Sequence, residues 1–133
     1  MKTLAAICAL LISTLTVAQS IKYDADLTAY KFKQDGIWGG WTNWVEDNSS
    51  IVFNKRREDI TIKSDEGSKL YLIDEIIDPE MDDEGDIVYA FICIDSNGIY
   101  MEVRIVLFTS MEDQLQLYLI YEDKKTVYNI YRK

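Results

Sequence analysis

The sequence predicts an all-β domain, either a small antiparallel meander barrel or a two-layer sandwich. Three observations support this. After residue 18 the chain shows no sustained 3.6-residue apolar period. Short alternating runs are instead divided by clusters of turn residues. The run 87–94 is also apolar on both faces, with Ile87, Tyr89, Phe91 and Cys93 opposing Val88, Ala90, Ile92 and Ile94. A single open sheet cannot bury both faces, so the sheet must close with a covered outer face or fold into two layers.

The first segment, Met1 to Ala18, reads as an export signal and not as part of the domain. Lys2 supplies the positive start, Leu4 to Ile12 is an apolar run, and Thr16-Val17-Ala18 ends in the small-x-small pattern of a cleavage site. The run is shorter than the roughly 20 apolar residues a bilayer span needs, and the rest of the chain holds no apolar stretch of that length. The expected organisation is a signal peptide over 1–18 and one all-β domain over 19–133. The expected location is exported: periplasmic, outer-surface or secreted.

The predicted strands are 27–33, 38–46, 50–54, 59–64, 69–77, 87–94, 99–108, 115–121 and 126–132. Their separators carry turn chemistry: Gln34-Asp35-Gly36, Asp47-Asn48-Ser49, Asp65-Glu66-Gly67, Asp95-Ser96-Asn97-Gly98 and Glu122-Asp123-Lys124-Lys125. Asn97-Gly98 is the strongest signal, because a type I′ turn wants two residues that tolerate positive φ. Pro79 is the only proline and is placed in a loop. In 99–108, Met101, Val103 and Ile105 share one face with Ile99 and Leu107, against a mixed second face. Strand 115–121 repeats this with Leu115, Leu117, Leu119 and Tyr121. Such strands keep one face in a core and one partly wet.

Charge and missing residue types narrow the chemistry. The chain has 14 basic and 23 acidic residues. Loss of Lys2 with the signal leaves 13 against 23, a net −10. That charge repels nucleic acid and anionic lipid surfaces, so neither is an expected partner. Basic residues are scattered, apart from Lys55-Arg56-Arg57. Basic partners or divalent cations are the easier guests. The chain has no histidine, which removes Ser-His-Asp and Cys-His catalysis and His-ligated zinc. Cys8 leaves with the signal, so Cys93 is a single thiol, expected to be buried in the core, and no internal disulfide forms. These counts point away from an enzyme.

Three candidate sites remain. At Asp74-Glu75 the alternation of 69–77 breaks. A carboxylate held among Leu70, Leu72 and Ile76 would have a raised pKa and could act as a general acid, whereas a bulge or strand end would turn it to solvent. A carboxylate-dependent hydrolase is therefore one alternative function. The acidic loop Asp78 to Asp86 partly matches a calcium loop, with acids at alternate positions from Glu80, but Phe91 stands where a bidentate Glu is required. A looser Ca2+ site would use Asp82, Glu84 and Asp86, in a calcium-stabilised envelope component; the plainer expectation is a solvated hairpin loop. The third site is aromatic. Trp38, Trp41 and Trp44 lie in one short run with Gly39-Gly40, which lets a ligand approach the backbone. Strand alternation puts Trp38 and Trp44 on one face and Trp41 on the other. Exposed tryptophans suit a protein partner, a small hydrophobic ligand or a carbohydrate; buried ones would fill the barrel. Asn48-Ser49-Ser50 also fits a glycosylation sequon.

Two resemblances add to this reading. Gly36-Ile37-Trp38 resembles the Gly-x-Trp signature of lipocalins, eight-stranded barrels that bind small hydrophobic ligands, and so implies that topology. The chain departs from that family in its short length, its missing disulfide and a strand before the motif. Over nearly its full length it is similar to small exported proteins of Bacteroidota. The carriers are Val17-Ala18-Gln19, the tryptophan-rich hairpin, Cys93-Ile94-Asp95 and the strand Leu117 to Tyr121. That similarity implies a Gram-negative envelope and no particular chemistry. The function expected is a non-enzymatic exported domain that binds a ligand or protein partner.

Overall fold

A computed structural model of the protein describes residues 20–132. The proposed export signal lies outside the described residues. Ten strands follow one another: β1 (Ser20–Gln34), β2 (Ile37–Trp38), β3 (Val45–Glu46), β4 (Ser50–Asn54), β5 (Asp59–Ser64), β6 (Gly67–Met81), β7 (Ile87–Ile94), β8 (Tyr100–Phe108), β9 (Gln114–Ile120) and β10 (Lys124–Arg132). From β4 to β10 each strand pairs antiparallel with the next. β1 then closes the ring, pairing with β4 through Ser20–Asp24 and with β10 from Tyr23↔Arg132 to Phe32↔Lys124. The result is a closed antiparallel barrel of eight strands, with β2 and β3 as short additions along β1. Closure removes most exposed strand edges, which are otherwise sites of aggregation.

Alternation explains what fills it. Ile21, Tyr23 and Ala25 of β1 point inward beside Ile51 and Phe53 of β4, and Ile60 and Ile62 of β5. From the opposite wall come Phe91, Cys93, Met101, Val103, Ile105, Leu117 and Leu119, and these side chains form one continuous cluster. An eight-stranded ring is just wide enough for its own side chains to fill. Here they do: the rings of Tyr23, Phe53 and Phe91 meet at 6.0 and 5.9 Å in the middle of the lumen. The double apolar strand at 87–94 is resolved by closure. Of its inner row Phe91 and Cys93 are buried and Ile87 and Tyr89 half-buried, while outside only Ala90 is buried and Val88, Ile92 and Ile94 are half-buried.

Several boundaries differ from expectation, each for a local reason. β1 starts at Ser20 because Ile21, Tyr23 and Ala25 already alternate with Lys22, Asp24 and Asp26. A bulge at Asp26 then flips the parity of the later half. Pro79 lies inside β6, not in a loop. β5 pairs with β6 only as far as Leu72, so Pro79 falls where β6 has lost that neighbour and a missing N–H costs little. β10 begins at Lys124, inside the predicted turn. At Asp95-Ser96-Asn97-Gly98 only Gly98 has positive φ, so the turn is not type I′; Gly98 N donates to Asp95 O and the Asp95 carboxylate caps the bend. A two-residue turn with both φ values positive occurs instead at Asp35-Gly36 (52° and 78°), between β1 and β2.

Candidate functional site: a tryptophan ribbon against a lysine row

After Asp35-Gly36 the chain runs back along β1, but not as a regular strand. Gly39 N donates to Phe32 O, Thr42 N donates to Tyr30 O, and Val45 pairs with Thr28. Two residues of β1 are thus matched by three of the ribbon, twice in succession. Each step is a bulge, adding one residue that the ladder cannot take up. The period of the ribbon is therefore three rather than two, which overturns the alternation expected for the tryptophans. Trp38 and Trp41 are on the same side, because the Lys31 ammonium lies over both rings, at 5.7 and 4.7 Å. Trp44 holds the corresponding place in the next step. Trp41 and Trp44 are 42% and 45% exposed, and Trp38 is half-buried. None of the three belongs to the core cluster.

The same stretch gathers cations. In the later half of β1, Tyr30 and Phe32 alternate with Lys31 and Lys33. Lys31 stands directly opposite Lys125 of β10, and Phe32 opposite Lys124. Lys125 lies 4.6 Å and Lys33 5.7 Å from the Trp38 ring, while Lys124 covers Tyr30 and Phe32. Each such cation–π contact stabilises by about 0.5–1 kcal/mol at an exposed site. The outer end of the row is Tyr118, 6.1 Å from the Trp41 ring, whose hydroxyl donates to Gln116 Oε1. Burial, then repulsion from Lys31 and Arg104, holds the Lys125 ammonium below the usual lysine range; Glu102 opposes this and Lys33 adds to it. Among the described residues the ion pairs are Arg57–Asp59 and Arg104–Glu102, so these four lysines have no carboxylate partner within salt-bridge distance. The expectation that basic residues are scattered is thereby corrected. Spacing along the chain hides the cluster, since β1 and β10 meet only through barrel closure.

Two clefts flank this ribbon. One, of about 490 Å³, lies between β1 and the ribbon and is lined by Lys31, Phe32, Trp38, Gly39, Gly40 and Thr42 among others. A Cβ on Gly40 would meet nothing within 4 Å, so the backbone there is bare and open. The other, of about 830 Å³, is the barrel mouth at the same end. It is rimmed by Asp26, Glu46, Asp47, Asp65 and Glu66, with Lys69 and Tyr128 also lining it. Burial, then the charges of Asp47 and Glu66, push the Tyr128 phenol up. Asn48 of the sequon is exposed on this rim.

The remaining sequence candidates are placed elsewhere. Asp74 and Glu75 are both exposed, and the register of β6 shifts between Ile73 and Glu75, so the broken alternation is a bulge that faces solvent. They do not sit among buried apolar groups as a general acid of raised pKa requires. In the loop 82–86, Asp82 Oδ1 accepts the N–H groups of Glu84 and Asp86, and buried Asp86 Oδ1 accepts Thr109 N at 3.1 Å. The Asp82 carboxylate thus closes the β6–β7 turn, the Asp86 carboxylate ties it to Thr109 just past β8, and Glu84 is exposed. No cluster of three or more possible metal ligands forms among the described residues. Cys93 is fully buried, and burial pushes its thiol up to about 12. No family model, curated protein or solved structure matches the chain, so its site has to be interpreted from its own residues.

Proposed function

We propose that the protein is an exported, non-enzymatic barrel that binds a ligand or partner through the ribbon of Trp38, Trp41 and Trp44. The observation that carries this is the position of the indoles. Tryptophan is usually buried, yet here Trp41 and Trp44 stand more than 40% exposed and Trp38 lines an open cleft, all outside a lumen already filled. Exposed tryptophans held by neighbours, and so losing little entropy on binding, are typical anchors of recognition surfaces. The lack of histidine and the buried, protonated Cys93 support a binding role rather than catalysis.

All three tryptophans of the chain lie within residues 38–44, so indole fluorescence reports on this surface alone. A panel of neutral and acidic hexasaccharides, titrated against that emission, should give a saturable change with at least one member. The same binding, followed by calorimetry, should vanish in the W38A/W41A/W44A variant while its circular dichroism stays that of the barrel. Binding that survives the triple substitution would overturn the reading.

A further inference from the structure

We infer that the ligand of this surface is a short acidic saccharide, with its carboxylate or sulfate between Lys31 and Lys125 and a sugar ring against Trp41. This rests on the reading of the ribbon as a binding surface and names what it binds. Lys31 and Lys125 are directly opposite each other across β1 and β10, and like charges in that relation destabilise a sheet. Lys33 is close by on β1, and all three surround the same Trp38 ring. In a chain carrying 23 acids, chance would supply a carboxylate; instead neither member of the opposed pair has one within salt-bridge distance among the described residues. Glu102, the acid nearest in effect to Lys125, is engaged at 2.7 Å by Arg104. An anion placed between the two ammonium groups removes their repulsion and gains charge-assisted hydrogen bonds.

The rest of the molecule limits the size and kind of anion. The rim of acids Asp26, Glu46, Asp47, Asp65 and Glu66 lies at the same end of the barrel. A long polyanion or a flat anionic bilayer meeting the lysines would also meet that rim and be repelled. A short ligand, held where Lys31 and Lys125 meet the Trp38 ring at the edge of the ≈ 490 Å³ cleft, would not. The aromatic component asks for a partner with a flat apolar face as well as a charge. Trp41 presents that surface, and the bare backbone at Gly40 leaves room for a ring to lie close.

The test combines a ligand-free and a ligand-bound measurement. Without ligand, iodide should quench the indole emission more strongly than caesium despite the protein's negative charge, and K31Q/K125Q should reverse that order. With ligand, an oligogalacturonate or sulfated hexasaccharide should bind at least about tenfold more tightly than a neutral cello-oligosaccharide, and the lysine variant should abolish that preference. Equal affinity for neutral and acidic sugars would overturn the acidic ligand while leaving the binding surface in place. Silence towards every sugar would overturn the saccharide, and the binding surface with it if adenosine monophosphate and the vesicles are silent too. Tighter binding of adenosine monophosphate, or of anionic phospholipid vesicles, than of the acidic sugars would replace the saccharide by that class. The thermal midpoint and circular dichroism of K31Q/K125Q establish that the barrel is intact. Should that variant unfold, K33Q and K125Q singly are expected to weaken acidic-sugar binding in part, and no weakening in either would count against the inference.

Discussion

Glu58 shows what one residue can conceal. It ends the β4–β5 turn with φ 52, a left-handed conformation that glycine adopts freely and other residues only at a cost of about 1–2 kcal/mol. Its carbonyl accepts the N–H of Ile73 and its own N–H donates to Lys55 O, so the conformation is fixed by both neighbours. Glu58→Gly should relieve that strain, while the more flexible unfolded chain takes back about 0.5–1 kcal/mol. The expected result is a net gain of up to about 1 kcal/mol, seen as a higher urea midpoint with an unchanged slope. A lower midpoint would show that the Glu58 side chain contributes something the backbone does not reveal. The stretch Lys55-Arg56-Arg57-Glu58 holds no Gly, Asn or Asp, so nothing in the sequence marks a positive φ there. At Asp35-Gly36 the same backbone requirement was legible.

At the scale of elements, β4, β5 and β7 coincide with the strands expected at 50–54, 59–64 and 87–94, because each keeps one parity throughout. The elements that departed are those whose parity changes part-way: β1 at Asp26, β6 near Asp74, and the tryptophan ribbon at each of its two steps. A period-two template cannot follow an inserted residue, so Trp38 and Trp41 were assigned to opposite faces. The tryptophans themselves were legible as a site; the lysines were not, since their grouping is a property of two strands distant in sequence. A further link between elements is testable. Tyr121, just past β9, donates to Asp95 Oδ2 at 2.8 Å, and Asp95 Oδ1 accepts the N–H groups of Asn97 and Ile99. The Ile99 amide, then the Tyr121 hydroxyl and the Asn97 amide, hold the Asp95 carboxyl below its ordinary value. Tyr121→Phe should move the Asp95 titration, followed by carbon NMR, part of the way up. The amide contributions remain, so it should not return fully. Since the folded pKa is depressed, whatever stability Asp95 contributes is present above its unfolded value, near 3.8, and fades as pH falls through the folded one. An unmoved titration would mean that the tyrosine link is not formed in solution.

For the whole molecule, closure decides between barrel and sandwich, and no local signal encodes it. Tyr23 pairs with Arg132 across almost the full described chain. The filled lumen that closure creates also sets the response to alkali. Burial is the first cause raising the phenols of Tyr23, Tyr71, Tyr89, Tyr121 and Tyr128, which belong to or pack on the core cluster, with Tyr71 pushed up to about 12, and it likewise raises the thiol of Cys93 to about 12. In the unfolded chain these groups lose their protons near 10 for tyrosine and 9 for cysteine. The folded state therefore holds more protons than the unfolded state in alkali, and stability must fall as pH rises. It should be fully present below about pH 9, decline first through Cys93 and then more steeply above pH 10 as the tyrosines join, and be lost towards pH 12. Each phenolate formed also adds to a net charge already at −9, which deepens the loss. Urea midpoints measured at intervals from pH 8 to pH 12 should trace this decline, and tyrosinate absorbance should rise together with loss of the β-sheet circular dichroism. If these phenols instead titrated near 10 with the sheet signal intact, their burial in a closed lumen would be disproved, and with it the barrel that places the lysines of β1 and β10 side by side.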